Sequence, residues 1–259
     1  MSLIIGLINA RLPRIKKLKI TIPKTAPGMK ELTIAAVSDI HIGMLIKHRM
    51  VGRLARMIEG IKPDIILFVG DSIDEAPGPV VKLNLGEPLK TLHAPLGKYG
   101  ITGNHEYIGG AEKCIAYLES LGITVLMDEV VTISGAFNLA GRIDRDVDRF
   151  TRNKRKDLQE LLKGIDTSLP LILMDHQPFH FEIAEACKVD MQLSGHTHHG
   201  QIWPFNYVTK AMYEISKGYL KKGNTHFYVS SGYGTWGPPI RLGSRPEVVE
   251  VKITFGENL

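Results

Sequence analysis

The chain has 259 residues, of which 44% are hydrophobic and 23% are charged, and this balance excludes disordered and fibrous proteins. Its formal net charge of +5 favours anionic substrates or surfaces, but it is too small to indicate a protein that binds a nucleic-acid duplex. Two cysteines, Cys114 and Cys187, exclude a disulfide-stabilised scaffold.

The N-terminus is an apolar run at residues 1–10, and basic residues follow it at Arg11, Arg14, Lys16, Lys17 and Lys19. The run is shorter than the roughly 20 residues that span a bilayer, and a signal peptide would carry its charges before the apolar stretch. Three interpretations stay open: a segment at the membrane interface, the cut end of a longer protein, or an ordinary surface helix or strand. Because basic residues beside an apolar stretch suit an anionic membrane surface, we favour membrane association over a plain cytoplasmic location. Residues 1–30 are treated as a separate, membrane-proximal segment.

From residue 31 onward, short apolar runs alternate with polar or turn segments. These runs predict strands at residues 32–39, 64–71, 97–104, 122–127, 130–133, 137–141, 169–174, 189–194, 226–231 and 247–255. Helical spacing of apolar residues predicts helices at residues 50–60, 111–120, 149–162 and 206–223. Strands that are apolar on both faces are typical of a sheet covered on both sides. No linker interrupts the pattern, so residues 31–259 are predicted to form one α/β domain.

Polar residues with metal-binding or catalytic potential follow these predicted strands. They are Asp39, His41, Asp71, Asp74, Asn104, His105, His176, His196 and His198. In layered α/β proteins, ligands bind in the crevice beyond the carboxyl ends of the strands. Carboxylates, imidazoles and one amide, without a thiolate, suit Mn, Fe, Zn, Ni or Co. The set is too large for one four-coordinate ion, so we expect two divalent metal ions that share a bridging aspartate.

Five short motifs in this set resemble those of the calcineurin-like metallophosphoesterases. They are, in order, Asp39-Ile-His41, Gly70-Asp71-Ser-Ile-Asp74, Gly103-Asn104-His105-Glu106, His176 and Gly195-His196-Thr-His198. The resemblance implies a four-layer α/β/β/α sandwich of two mixed sheets flanked by helices, with the metal site at one edge.

The resemblance also implies a role for each residue of the set. One metal would be held by Asp39, His41, Asp71 and His198, and the other by Asp71, Asn104, His176 and His196. A metal-bridging hydroxide would attack phosphorus. His105 would stabilise the charge of the phosphoryl group or protonate the leaving oxygen, and Asp74 would orient His105 through a carboxylate–imidazole hydrogen bond. Asp74 has an alternative interpretation as a helix N-cap.

Departures from the motifs narrow the branch of the family. Protein Ser/Thr phosphatases of this superfamily carry phosphate-clamping arginines where this chain has Glu75 and Thr102, which weakens a phosphoprotein phosphatase interpretation. The C-terminal third, from residues 195–204 onward, resembles the bacterial YkuE/YaeI-type phosphodiesterases, which are frequently associated with membranes. This chain departs from that branch at His199, which is either an extra imidazole at the pocket rim or a surface histidine.

Three further residues are weaker candidates for contact with substrate: Arg241, Arg142 and His199. The resemblance places Arg241 near the rim of the active site. Trp203 and Trp236 either stack on a base or sugar or, as is commoner for tryptophan, pack loops onto the domain. The segment at residues 206–223 is an apolar-faced lid, a membrane-facing insert or an ordinary surface helix.

The sequence therefore predicts a metal-dependent phosphoric ester hydrolase, either a phosphodiesterase or a phosphatase, that acts on a phosphorylated small molecule or lipid. The alternative within the same fold is a pyrophosphate hydrolase acting on a lipid-linked nucleotide such as UDP-2,3-diacylglucosamine. A non-catalytic binding module is the weakest hypothesis, because every expected ligand is present. The lack of an extended Lys/Arg stripe argues against a nucleic-acid duplex as partner.

Overall fold

The structure, a computed structural model, describes residues 2–74 and 77–256. Its helices are α1 (Ser2–Asn9), α2 (His48–Ile61), α3 (Pro77–Lys82), α4 (Glu87–Lys90), α5 (Asn104–Gly109), α6 (Ala111–Ser120), α7 (Val147–Phe150), α8 (Leu158–Leu161), α9 (Phe181–Ala186) and α10 (Phe205–Met212). Its strands are β1 (Arg14–Ile22), β2 (Glu31–Val37), β3 (Ile65–Val69), β4 (Lys98–Ile101), β5 (Thr124–Val125), β6 (Glu129–Ile133), β7 (Phe137–Gly141), β8 (Leu171–Met174), β9 (Met191–Ser194), β10 (Gly218–Lys222), β11 (Thr225–Val229) and β12 (Glu247–Phe255).

Two mixed sheets of six strands each form the centre of the fold. The first has the order β1-β12-β2-β3-β4-β5, and the second has the order β10-β11-β9-β8-β7-β6. Strands β2 to β5 run parallel in the first sheet, and β7, β8, β9 and β11 run parallel in the second. Parallel neighbours end at the same edge of a sheet, so each sheet presents a row of strand ends where loops can gather.

Along each strand, successive side chains point to opposite faces of the sheet, and this explains the four layers. In β2, Ile34 and Ala36 point into the apolar cluster between the sheets, whereas Ala35 and Val37 point into a cluster shared with α2 and α6. In β8, Ile172 enters the cluster between the sheets, and its neighbours in sequence pack toward α8 and α9. Successive side chains of a strand point to opposite faces, so strands that are apolar throughout need a cover on both sides. The predicted α/β/β/α sandwich is confirmed.

Two predicted helices are wrong in part. Residues 149–162 form α7 and α8 with a non-helical stretch between them, because tertiary hydrogen bonds pin that stretch: Arg142 donates to the carbonyl oxygen of Lys156 at 2.8 Å, and Lys156 N donates to Asp128 at 2.7 Å. Residues 206–223 are helical only to Met212, because residues 218–222 pair with β11 in an antiparallel hairpin. Long-range pairing overrides local helical spacing in both segments.

The N-terminal segment contains α1 and β1. Strand β1 pairs with β12 along its whole length, from Arg14 opposite Glu247 to Ile22 opposite Phe255, so residues 14–22 are part of the first sheet. In α1, Gly6 contacts the loop at residues 240–242, and the backbone N–H of Arg241 donates to its carbonyl oxygen at 3.0 Å. Within residues 2–74 and 77–256, no helix combines the length and the apolar character needed to cross a membrane.

Candidate metal centre

The loops that follow β2 and β3 lie side by side beyond the ends of these strands. The backbone N–H groups of Asp39 and His41 donate to the carbonyl oxygens of Gly70 and Asp71, each at 3.0 Å. Asp39, His41 and Asp71 all have a left-handed backbone, with φ of 51°, 51° and 50°. Such conformations cost about 1–3 kcal/mol for non-glycine residues and cluster at functional sites. The turns therefore aim these side chains into one crevice at the expense of local strain.

A first group of ligand atoms joins the two sheets. The carboxylate of Asp39 accepts from the backbone N–H of His196, beyond β9 in the second sheet, at 2.9 and 3.1 Å. The Nε2 atoms of His41 and His198 are 3.0 Å apart, and His198 Nε2 lies 3.4 Å from Asp39 Oδ1. The ligand atoms of Asp39, His41 and His198 all lie within 4.8 Å of one another, and all three residues are buried.

A second group lies beside the first. It consists of Asp71, His176 and His196, whose ligand atoms also lie within 4.8 Å of one another. His176 Nε2 is 3.1 Å from Asp71 Oδ2, and His196 Nδ1 is 2.9 Å from the amide oxygen of Asn104. Asp71 also groups with His41 and His105, so its carboxylate lies between the two sets. The structure thus brings together all seven residues that the sequence predicted as metal ligands.

The tautomer of His176 tests whether this site fits a cation. Its Nδ1 lies 2.7 Å from the carbonyl oxygen of Val69, which can only accept, so Nδ1 carries a proton. Its Nε2 is buried and lies 3.1 Å from Asp71 Oδ2, without the geometry of a hydrogen bond. A histidine fixed by a carbonyl through one nitrogen, with the other directed at the remaining ligands, is the usual arrangement of a metal ligand. The donor set fits a divalent cation.

The pKa shifts of the buried residues also fit a site for a divalent cation. Burial lowers the pKa of His176, but the charges of Asp71 and Asp39 outweigh burial and raise that pKa well above its usual range. Burial likewise raises the pKa of Asp71, and His176 reverses the effect, so the pKa of Asp71 lies well below its usual range. The carboxylates that hold a proton on His176 would hold a divalent cation in its place, because metals compete with protons for such ligands.

Two motif glycines are required by close packing at the site. A Cβ on Gly70 would lie 2.5 Å from His176 Nδ1, and Gly70 also has a positive φ of 80°. A Cβ on Gly103 would collide with the carboxylate of Asp71. Any side chain at either position would therefore displace a ligand of the second group.

His105 and Asp74 lie next to the ligands. His105 Nδ1 is 3.1 Å from Asp74 Oδ1, although the contact lacks the geometry of a linear hydrogen bond, and His41 Nδ1 is 3.5 Å from the same oxygen. Burial lowers the pKa of His105, but contact with Asp74 and the charge of Asp71 outweigh it and raise that pKa. Burial raises the pKa of Asp74, and its contacts with the two histidines lower it by more. This carboxylate therefore favours the protonated form of His105.

Glu106 is a structural part of the site that the sequence analysis did not single out, although it is the fourth residue of the third motif. It is fully buried, and its carboxylate accepts from the backbone N–H groups of Asp71, Ile73 and Gly103 at 3.0, 2.9 and 2.7 Å. Burial, and then the charge of Asp71, raise its pKa to about 7. One side chain thus ties the loop that carries Asp71 to the loop that carries Asn104 and His105.

We expect Glu106→Gln to destabilise the protein. An amide has one acceptor oxygen, and its NH2 group would face a buried backbone N–H, so at least one donor loses its partner at a cost of about 1–3 kcal/mol. Urea denaturation at neutral pH measures the change, with the exposed Glu112→Gln as the matched control. Equal unfolding midpoints for the two variants would contradict the role given to Glu106.

Arg241 does not lie at the rim of the active site, which corrects the sequence-based expectation. It is fully buried, and its guanidinium donates to the carbonyl oxygens of Ser231 and Gly234. Its Nη2 lies 3.1 Å from His198 Nδ1, behind the ring of that ligand. Arg241 therefore holds the C-terminal loop against His198, and no substrate reaches it. A family pattern could not show this, because rim and interior positions look alike in sequence.

Arg142 and His199, the other two candidates for contact with substrate, also lie outside the lining of the cavity at the candidate ligands. Arg142 lines a separate cavity of about 150 Å³, where it pairs with Asp175 at 3.1 Å. His199 is neither at the pocket rim nor on the surface: it is buried, and its Nδ1 lies 2.8 Å from Ser216 Oγ. Two residues stand where protein Ser/Thr phosphatases have phosphate-clamping arginines. Thr102 is buried, and Glu75 lies outside the described residues.

A cavity of about 590 Å³ opens directly onto the candidate ligands. Its floor includes Asp71, Asn104, His105, His196 and His198, and α10 forms one wall. Trp236 lines this cavity and Trp203 does not, and their exposed fractions are 59% and 60%. Loop packing, the commoner role considered above, therefore does not describe either tryptophan.

Comparisons with known proteins agree with this geometry. Residues 32–200 match the family model of the calcineurin-like phosphoesterases. An uncharacterized metallophosphoesterase of Aquifex aeolicus is 36% identical over 244 residues, which cover 93% of this chain and 91% of the relative. One from Helicobacter pylori strain J99 is 35% identical over 246 residues, which cover 93% of this chain and 64% of the relative. The chain belongs to the calcineurin-like phosphoesterases, a family of metal-dependent phosphoester hydrolases.

Other relatives are longer or more distant. A bovine protein named transmembrane protein with metallophosphoesterase domain is 34% identical over 264 residues, which cover 96% of this chain and 59% of that protein. The chain thus spans less than two thirds of several relatives that it matches. Among solved structures, a dimetal phosphatase from Danio rerio is 12% identical with a TM-score of 0.52, covering 86% of this chain and 98% of that one. A 5'-nucleotidase precursor from Thermus thermophilus is 14% identical with a TM-score of 0.50, covering 86% and 54%. These two likenesses show the shared fold.

Proposed function

We propose that this protein hydrolyses phosphate esters, either diesters or monoesters, with two divalent metal ions. The observation that carries the proposal is the pair of adjacent N/O ligand groups that Asp71 links. Asp39, His41, Asp71 and His198 would hold one ion, and the other would be held by Asp71, Asn104, His176 and His196. When bound, such a pair of ions supplies a nucleophilic water at neutral pH and neutralises charge on the phosphoryl oxygens.

The chain's own residues supply the remaining functions. His105 lines the cavity and would face the phosphoryl group, where it donates a hydrogen bond or a proton to the leaving oxygen. Asp74 is a positioning residue, since its carboxylate contacts Nδ1 of His105 and so leaves Nε2 for the substrate. Arg241, behind His198, and Glu106, behind Asp71, hold ligand-bearing loops in place.

A substrate panel tests the proposal. Protein stripped of metal is assayed with and without added Mn on p-nitrophenyl phosphate, bis-p-nitrophenyl phosphate and a nucleoside diphosphate ester. We expect hydrolysis of at least one ester class, dependent on Mn. Absence of Mn-dependent hydrolysis across the panel, in protein shown to bind two ions, would support the binding-module hypothesis instead.

One observation favours the alternative of pyrophosphate hydrolysis on a lipid-linked nucleotide such as UDP-2,3-diacylglucosamine. The cavity beside the candidate ligands is walled largely by apolar side chains, which suits a substrate with a lipid part. Release of nucleoside monophosphate in the panel distinguishes this activity from simple ester hydrolysis. Either activity acts on a small molecule or lipid and needs no nucleic-acid duplex.

We also propose that α1 binds an anionic membrane surface. Leu3, Ile4, Ile5 and Ile8 are exposed, between 47% and 63%, while Gly6 faces the domain. Beyond α1, the exposed side chains of Arg11, Lys16 and Lys19 add positive charge, whereas Arg14 and Lys17 pair with Glu247 and Glu250. An apolar helix face beside basic residues suits the interface of an anionic bilayer.

Vesicle co-sedimentation tests this surface. Each basic residue near an anionic surface contributes about 1 kcal/mol, so we expect weak binding to phosphatidylserine-containing vesicles at low salt that is lost at high salt. Ile4→Ser with Ile8→Ser should abolish binding, whereas the equally exposed Leu83→Ser, after α3, should not. Point variants are preferable to deletion of residues 1–19, which would remove most of β1. A wild-type chain that stays in the supernatant at low salt would end the membrane proposal.

A further inference from the structure

The wall of the catalytic cavity consists largely of apolar side chains that the fold leaves exposed. Five of them, from α5, α10 and the loop before residue 240, are between 48% and 60% exposed and line the cavity together: Ile108, Phe205, Val208, Met212 and Trp236. Single exposed apolar side chains are ordinary on a protein surface. Several that share one cavity, next to a polar floor of ligands, mark a binding groove for an apolar group.

Helix α10 has no role in the hydrophobic core that would explain its composition. None of its residues is buried, although it carries Phe205, Tyr207, Val208 and Met212. It is attached to the site through the segment at residues 198–200, where a Cβ on Gly200 would collide with the backbone of Phe205. The helix is therefore held close to His198 by a position that tolerates only glycine, and it directs three apolar side chains along the cavity.

A second part of the cavity lining, at Trp236, is also fixed in place. The buried side chain of Gln201 accepts from the backbone N–H of Trp236 at 2.9 Å and donates to its carbonyl oxygen at 2.7 Å. A second contact, at 3.2 Å, runs from the same amide to the carbonyl oxygen of Pro238. Gln201 thus fixes the backbone of Trp236, whose side chain lines the same cavity as α10.

The charge of the lining defines the ligand further. Among the described residues, the side chains that line this cavity include no lysine or arginine. A second phosphate or an acidic headgroup along this wall would have no cationic partner and would lose its solvation. The lining therefore favours an uncharged, apolar group over a charged one in the part of the cavity next to α10.

We infer that the substrate is an amphiphile, a phosphate ester whose aliphatic chain lies in the groove between α10 and Trp236. This rests on the proposed phosphoesterase function and names the substrate class of that same site. The volume of about 590 Å³ is in the usual range of about 300–1,000 Å³ for small-molecule sites and exceeds what a phosphate group alone requires.

Two homologous substrate series test the inference on the metal-loaded wild-type protein. One consists of alkyl p-nitrophenyl phosphates and the other of alkyl phosphates, each with methyl, butyl and octyl chains, below their micelle concentrations. Burial of one methylene group corresponds to a gain of about fourfold in binding. We expect kcat/KM to rise at least about tenfold from methyl to octyl in the series that the protein hydrolyses.

Variants of α10 supply the matched comparison. Phe205→Ser with Met212→Ser should lower kcat/KM for the octyl substrate by a larger factor than for the methyl substrate, which flattens the dependence on chain length. Tyr207→Ser is the control, because Tyr207 is 62% exposed on the same helix and does not line the cavity. Thermal unfolding of each variant checks that α10 substitutions leave the domain folded.

The outcomes separate the inference from the function on which it rests. Absence of hydrolysis of every member of both series and of p-nitrophenyl phosphate, with metal bound, would count against the proposed function. Hydrolysis with kcat/KM independent of chain length would overturn the amphiphile inference alone. A chain-length dependence that survives the double α10 variant, or that Tyr207→Ser removes equally, would overturn the assignment of the chain to this groove.

Discussion

Replacing Asp71 with alanine is expected to abolish activity and to remove metal from both positions. Its carboxylate is close to ligands of both groups, so its loss should weaken both. Two ions contribute several kcal/mol to the transition state, and each 1.36 kcal/mol corresponds to a tenfold change in rate, so the rate should fall by at least about 10³-fold. Inductively coupled plasma analysis should show bound metal falling from about two ions per chain to nearly none.

Asp148→Ala is the matched control, because Asp148 is an exposed aspartate on α7 that belongs to neither ligand group. Asp71→Asn keeps the size of the side chain and the hydrogen bond from the backbone N–H of His105, at 2.9 Å in the structure, but removes the charge. It should therefore fold normally and still lose metal. Retention of two tightly bound ions in a folded Asp71→Asn or Asp71→Ala variant would contradict the bridging assignment.

His105→Ala is expected to lower the rate and to leave the metal content unchanged. The proposed role of His105 is to face the phosphoryl group, and general acid catalysis of this kind contributes about 10²–10⁴-fold. The loss should be large for phenyl phosphate and small for p-nitrophenyl phosphate, because a good leaving group needs little protonation. Steady-state kinetics on the two substrates, with metal analysis of the same preparations, measure both effects.

Several outcomes would change this assignment. An equal loss for both leaving groups would make His105 a residue that stabilises charge instead of a proton donor. Loss of metal would place it among the ligands, since its ring also groups with His41 and Asp71. Asp74→Asn should show a smaller loss with the same dependence on leaving group, and the exposed His93→Gln should show none.

Among the described residues, no guanidinium group lines the cavity, and this is why we expect large losses of rate in the Asp71 and His105 variants. The resemblance predicts that the clamping arginines of protein phosphatases are replaced, and Thr102 is buried, where its hydroxyl lies 3.4 Å from Tyr107 Oη. Arg142 and Arg241, the two basic candidates, both lie elsewhere. Charge on a bound phosphate would therefore be met by the metal ions and His105, with no arginine to compensate for the loss of either.

The sequence by itself predicted the candidate metal ligands and determined the class of fold. Parallel strands end at the same edge of a sheet, so Asp39 and Asp71, each placed just after an apolar run of the first sheet, had to meet there. His176 follows β8 of the second sheet, and the packing of the two sheets brings it to them. Motif glycines such as Gly70 and Gly103 carry the same information, because only glycine allows the loops to approach so closely. The helix at residues 111–120 and the strands at residues 137–141 and 247–255 also agree with the structure to the residue.

Only the tertiary structure decided which residues support the candidate metal ligands and which residues line the cavity beside them. Glu106, Arg241 and Gln201 act through hydrogen bonds to distant backbone groups, and no local pattern reports such partners. The break between α7 and α8 has the same cause, since side chains far along the chain pin the intervening loop. The apolar wall formed by α10 was visible only as helical spacing, because exposure depends on whether another element covers a face. Short sequence motifs therefore identify the candidate metal-ligating residues. Burial and the shape of the cavity depend on contacts between residues that are far apart in sequence.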